Sequence, residues 1–204
     1  MYQNQVLNTA VLLGILKNYK RPYDKIGEWV DKGNLIQLKK GLYILGPEIS
    51  DKTPEPFLMA NHIYGPSYIS LESGLAYWGL IPERAFATTS CALKKSKTFS
   101  INGSLFSYSQ LSKSYFPLGI KSITIATNQT VLIGSPEKCL FDKIITTSGI
   151  HLRSKKQAAE FLFEDLRIEA NSLKDFNNNE IQSWLSVAPK KNSLKTIIDL
   201  IQEL

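Results

Sequence analysis

Hydrophobic positions along the first 46 residues fall into two patterns. Val6, Leu7, Ala10, Val11, Leu13, Gly14 and Leu16 recur at helical spacing and predict a helix over 6–19. Arg21-Pro22 interrupts it, and Pro22 is placed as the first residue of a second helix, PYDKIGEWVDKG. There Ile26, Trp29 and Val30 share one face, and Gly33 supplies the stop. The pattern then changes. Apolar runs Leu35–Leu38 and Leu42–Leu45 flank Lys39-Lys40-Gly41, which predicts a hairpin on a three-residue loop. Pro-rich GPEISDKTPEP, residues 46–56, reads as a linker or strap.

Beyond the linker a short apolar helix, 57–63, precedes YGPSYISLESGLAYWGLIPE, residues 64–83. Tyr68-Ile69 suits a short strand. Ser70 is placed as the N-cap of a helix whose buried face is Leu71, Leu75 and Trp78, closed by Gly79 and Pro82. Gly74 costs stability inside that helix unless a neighbour packs close to it. From Ala85 to Ser135 the chain alternates as strands (AFATTSCAL, KTFSING, SLFSYSQL, KSITIAT, TVLIGS), with turns at Asn102-Gly103 and Asn128. Ser135-Pro136-Glu137 opens a further helix with Leu140, Phe141, Ile144 and Ile145 on its apolar face. Helical segments are predicted over 157–166, 180–186 and 194–204. The expected class is α/β of the α+β kind: a small N-terminal module over 1–46, a linker over 47–56, and a mixed domain of antiparallel strands and several helices over 57–204.

Helix, helix, then a hairpin with lysines at its tip is the order of a winged helix-turn-helix, although two helices precede the hairpin where three are usual. Charge strengthens that reading. The net charge is +6; residues 1–46 carry seven Lys/Arg against three Asp/Glu, and residues 47–204 seventeen against fifteen. A basic module of this size points to an anionic partner, duplex DNA first. The alternatives are a solvated basic surface or a helix–hairpin module that binds protein. Apolar runs short of ~18 residues and the absence of a basic n-region predict neither a membrane span nor a secretory signal. Cys91 and Cys139 are expected to be reduced and buried, and His62 and His151 lack ligand spacing to them, so no metal is expected.

Catalytic chemistry finds little support. Glu137 and Asp142 lie five residues apart and share a helix face poorly; Glu137 reads as a helix-start acid, and Asp142 as the partner of a lysine or of Arg167. Glu164 to Arg167 reads as an ion-pair site between elements. Ser90-Cys91 lacks a nearby base, and no glycine-rich phosphate loop is present. Neither enzyme activity nor a cofactor is expected.

Three blocks carry a family resemblance: GNLIQLKKGLYIL; YGPSYISLESGLAYWGLIPE; and GSPEKCLFDKI with the later FLFEDLRI. In this order, across residues 22 to about 170, they resemble the AbiEi-type antitoxins and transcriptional regulators of type IV abortive-infection toxin–antitoxin systems. The resemblance implies an N-terminal winged helix that binds promoter DNA, with repeated or palindromic sites read by a homodimer or by two bound copies. It also implies a C-terminal domain that counters a nucleotidyltransferase-like toxin without requiring a stable complex, and a cytoplasmic protein. Carried onto this chain, the DNA face is Lys20 and Arg21 before the second helix, Tyr23 and Lys25 on it, and Lys39 and Lys40 on the wing. Tyr64, Tyr68 and Tyr77, and the basic cluster Lys94, Lys95 and Lys97, are candidates for partner or nucleic-acid contact.

Overall fold

The computed structural model describes residues 2–83 and 85–204. It divides into two compact units, residues 1–63 with 124–131, and residues 64–123 with 132–204. The architecture is mixed α+β with two sheets.

In the first unit, β1 (Leu7–Asn8), α1 (Thr9–Ile15), α2 (Pro22–Asp31), β2 (Leu35–Lys39), β3 (Leu42–Leu45) and α3 (Pro56–Ile63) follow in sequence. The helix predicted over 6–19 is thus shorter than expected at both ends. Leu7 and Asn8 are extended because they pair antiparallel with Tyr43 and Leu42, and the Asn8 side chain then caps α1 by accepting from the Val11 amide at 3.0 Å. The buried positions of α1 and its C-cap are Leu12 and Leu16, one turn apart, with Val11 and Leu13 at the margins. They meet Leu7, Ile26, Leu35 and Tyr43 in a small core, with Trp29 and Val30 of α2 packed alongside. Burying one such leucine contributes about 1.5–3 kcal/mol.

The β2–β3 hairpin turns on two residues, Lys40-Gly41, rather than three. Lys39 pairs with Leu42, and the extra residue is absorbed as an irregularity at Leu38, whose side chain stays buried. Gly41 takes φ +81°, the left-handed conformation such a turn needs. The order in this sheet is β1-β3-β2.

The break expected after residue 46 does not coincide with the division between units, because the strap and α3 belong to the first. Gly46 donates its amide to the Asn34 carbonyl at 2.7 Å, and a Cβ there would collide with the Gly33 carbonyl. Glu55 donates its amide to Gln129 Oε1 at 2.8 Å, within the same unit.

In the second unit α4 (Leu71–Tyr77) follows β4 (Ser67–Ile69), then β5 (Thr88–Ala92), β6 (Lys97–Ile101) and β7 (Ser104–Gln110); β8 (Ile120–Ala126) and β9 (Gln129–Gly134) have their outer ends in this unit, and the residues between them, 124–131, are those of the first. The strands pair in the order β6-β7-β5-β4-β9-β8. The sheet is mixed, not antiparallel as expected: β5 runs parallel to β7, and β4 parallel to β9. The reason is topological, since β7 returns from its Asn102-Gly103 turn to lie between β6 and β5.

The helices α5 (Pro136–Thr146), α6 (Lys155–Ala159), α7 (Ala170–Leu173), α8 (Asn178–Trp184) and α9 (Lys191–Ile201) complete the chain, with π-helical turns over Glu160–Asp165 extending α6. Leu75, Leu140, Phe141, Ile144, Trp184 and Ile198 lie in the main core. Gly74 has the close neighbour its mid-helix position demands: a Cβ there would run into Cys139 Sγ of α5. Both cysteines are free and buried.

Candidate nucleic-acid interface

Pro22 fixes the start of α2, so the six residues before it form the turn from α1, and their side chains project at the head of α2. Tyr19 and Tyr23 are 52% and 67% exposed, and Lys17, Lys20 and Arg21 are exposed around them. A phenol ring at the second position of a helix, next to two cations, can contact a phosphate or a base edge. Tyr19 and Lys17 belong to this patch although the sequence assigned them no role; the run Lys17-Asn18-Tyr19-Lys20-Arg21 was the available signal.

The cations of the patch differ in how far they are committed. Arg21 Nε pairs with Asp24 at 2.5 Å. Lys25 and Lys32 both donate to Glu28, at 2.8 and 2.7 Å. These hydrogen bonds, from Lys25 first and then Lys32, pull the Glu28 carboxyl down to about 2, and Glu28 in turn raises Lys25. Lys20 and Lys40 are exposed with no ion pair among the described residues.

Lys39 departs from the expected role on the wing. Its Nζ donates to the carbonyls of His62 and Ile63, at 2.9 and 2.6 Å, closing the C-terminus of α3. A cation placed on orphan helix carbonyls complements the dipole of that end. Burial, with the Lys39 charge as the smaller cause, lowers the His62 pKa.

Of the tyrosines expected to reach a partner, Tyr68 does not. It is fully buried and donates to Asp142 Oδ2 at 2.8 Å. Ser70 donates to the same oxygen at 2.7 Å, so its hydroxyl leaves the N-cap role expected for it. The following Leu71 enters α4 at φ +58°, a conformation that costs a side-chain-bearing residue of order 1–3 kcal/mol. Lys138 Nζ faces Asp142 Oδ1 at 3.1 Å and donates to the Tyr115 carbonyl at 3.1 Å, above the Tyr115 ring. Lys138 and Asp142 have no exposed surface at all. Burial lowers the Lys138 pKa against the pull of Asp142, and burial raises the Cys91 and Cys139 thiols. This sealed network braces β4, α4 and α5. Asp142 thus has the lysine partner expected, and Arg167 pairs instead with Glu83. Glu137 Oε1 accepts the Asn177 amide at 3.1 Å.

Tyr77 is 44% exposed and stacks edge-on with Trp78, while Tyr64 is half-buried. Lys94, Lys95 and Lys97 are exposed. Among the described residues there is no His/Cys/Asp/Glu cluster able to hold a metal, and no helix long and apolar enough to cross a membrane.

No protein-family model and no curated protein matches the chain. Among solved structures, the crystal structure of the RV2827C protein from Mycobacterium tuberculosis is similar, with a TM-score of 0.62 and 14% identity over 96% of this chain and 71% of that one. At that identity the likeness is one of fold alone.

Proposed function

We propose that the first unit is a winged helix-turn-helix that binds duplex DNA, and that the chain is the repressor and antitoxin of a type IV toxin–antitoxin operon. The observation that carries the DNA reading is the exposed Tyr19-Lys20-Arg21-Tyr23 patch at the head of α2. The order of α1, α2 and the β2–β3 hairpin, with Lys40 at the hairpin tip, agrees with it. In such a module α2 lies in the major groove and the hairpin tip touches the backbone. The antitoxin assignment rests on the family resemblance: the second unit would oppose a nucleotidyltransferase-like toxin, with no stable complex required, in the cytoplasm.

A second reading has its own observation. Arg21, Lys25 and Lys32 are all paired with acids of α2 itself, Lys25 and Lys32 sharing Glu28, which suits a helix that docks on protein rather than on phosphate.

Gel-shift titration with the DNA upstream of the chain's own reading frame separates the two. Binding that weakens steeply with salt, and a Lys20→Ala/Lys40→Ala variant whose slope of log K against log salt is shallower by about 2, support the DNA reading. Failure of the wild type to prefer that DNA over unrelated duplex overturns it in favour of the protein-docking module. For the antitoxin role, co-expression with a nucleotidyltransferase-like toxin from a neighbouring gene should restore growth; no restoration removes that assignment.

A further inference from the structure

Residues 85–136, which supply β5 to β9, contain five lysines and neither Asp nor Glu. Three of the five, Lys94, Lys95 and Lys97, cluster within four residues between β5 and the start of β6, and all three are exposed. They gather around aromatic rings. Period-two alternation puts Lys97 and Phe99 on one face of β6, and Lys97 pairs with Tyr108 of β7. Tyr64 packs against Phe99 and Tyr108 with ring centroids 5.5 and 5.1 Å apart. Its hydroxyl donates to the Lys95 carbonyl at 3.0 Å, which holds the ring in place. Lys94 Nζ lies 5.4 Å from the Tyr64 centroid, and Lys97 Nζ 4.8 Å from that of Phe99.

We propose that this surface of the second unit binds single-stranded nucleic acid. Half-buried aromatic rings each flanked by a mobile cation supply the two elements such binding needs: a platform on which an unpaired base stacks and a charge that meets the adjoining phosphate. The lysines now over the rings are those that would move to phosphate as a base takes the ring face. The absence of carboxylates along the whole stretch removes the repulsion that would otherwise oppose a polyanion. Stacking requires an unpaired base, so the surface discriminates against duplex, and recognition by stacking is tolerant of sequence. This site belongs to the second unit and is built from other residues than the duplex-binding patch proposed for the first, so it does not depend on that proposal. Lysines on an open edge strand also discourage edge-to-edge association, but that role needs no aromatic platform beneath them.

Fluorescence anisotropy of the full chain with labelled 15-nucleotide oligo(dT) and oligo(rU), across a salt series, tests the proposal. A Lys94→Ala/Lys95→Ala/Lys97→Ala variant should flatten the salt slope by about 2, three contacts at roughly 0.7 each. Phe99→Leu, which keeps apolar volume but loses the ring, should weaken binding at least about fivefold with the slope unchanged, and Phe99→Tyr should restore it. Lys20→Ala/Lys40→Ala should leave oligonucleotide binding intact while affecting duplex. Tighter binding to either oligomer, lost in the same variants, supports the proposal and identifies DNA or RNA as the strand. The proposal is overturned if neither oligomer binds at 50 mM salt, if only the lysine variant matters, or if the first-unit variant abolishes binding.

Discussion

Lys25 and Lys138 each meet a carboxylate about one turn along a helix, and the two pairs behave as opposites. On α2, Glu28 collects Lys25 and Lys32 at 2.8 and 2.7 Å in contact with water. On α5, Lys138 and Asp142 stand 3.1 Å apart with no exposed surface. The exposed acid is held ionised down to about pH 2 by its two hydrogen bonds. The buried pair is dominated by desolvation, which lowers the Lys138 pKa, and it persists because Tyr68, Ser70 and the Tyr115 carbonyl complete it. Asp142 Oδ1 takes no directed hydrogen bond beyond the Lys138 charge. The same pairing of lysine with carboxylate therefore sets what one surface presents, and in the other unit lies wholly inside the core.

The largest effect expected from breaking this contrast is at the buried pair. Asp142→Ala strands the Lys138 charge and should cost about 3–5 kcal/mol in denaturant unfolding, whereas Asp142→Leu combined with Lys138→Met should recover much of the loss. A loss below 1 kcal/mol for the single variant would mean that the pair does not organise the core. Next comes Gly74→Ala. Its new methyl meets Cys139 and should destabilise by about 1–3 kcal/mol, with Cys139→Ala restoring most of it in a double-mutant cycle. Glu28→Gln should leave the unfolding midpoint within error of wild type, since exposed pairs add little. Releasing Lys25 and Lys32 should nevertheless steepen the salt dependence of duplex binding by about 1–2 in log–log slope; an unchanged slope would show that α2 does not face phosphate. The smallest effect concerns pH. Because the Glu28 pKa is lowered on folding, from 4.5 to about 2, its contribution is complete above pH 4.5 and is lost as pH falls through 2. A carboxyl-carbon NMR titration with its midpoint near 4.5 would contradict the geometry.

Much of the fold was legible where punctuation is local. Pro22 and Gly33 bound α2, Asn102-Gly103 turns β6 into β7, and Ser135-Pro136 starts α5 with the serine side chain accepting from the Lys138 amide. What escaped depends on partners distant in sequence. Alternation identifies a strand but not the direction of its neighbour, so the parallel pairs β5–β7 and β4–β9 were invisible. Ser70 has the residue type of a cap, yet Asp142, 72 residues away, takes its hydroxyl. Lys39 looked like a wing cation until α3 brought its terminal carbonyls to it. The patch around Tyr23 was legible because exposure next to a helix-starting proline is a local property.

The assignment of residues 124–131 to the first unit bears on inheritance and engineering. A reading frame stopped after Ile63 would yield a module lacking Gln129, the acceptor for the Glu55 amide. A designer who transplants the N-terminal module by simple truncation leaves the Glu55 amide without that acceptor, and keeps it by moving both segments together.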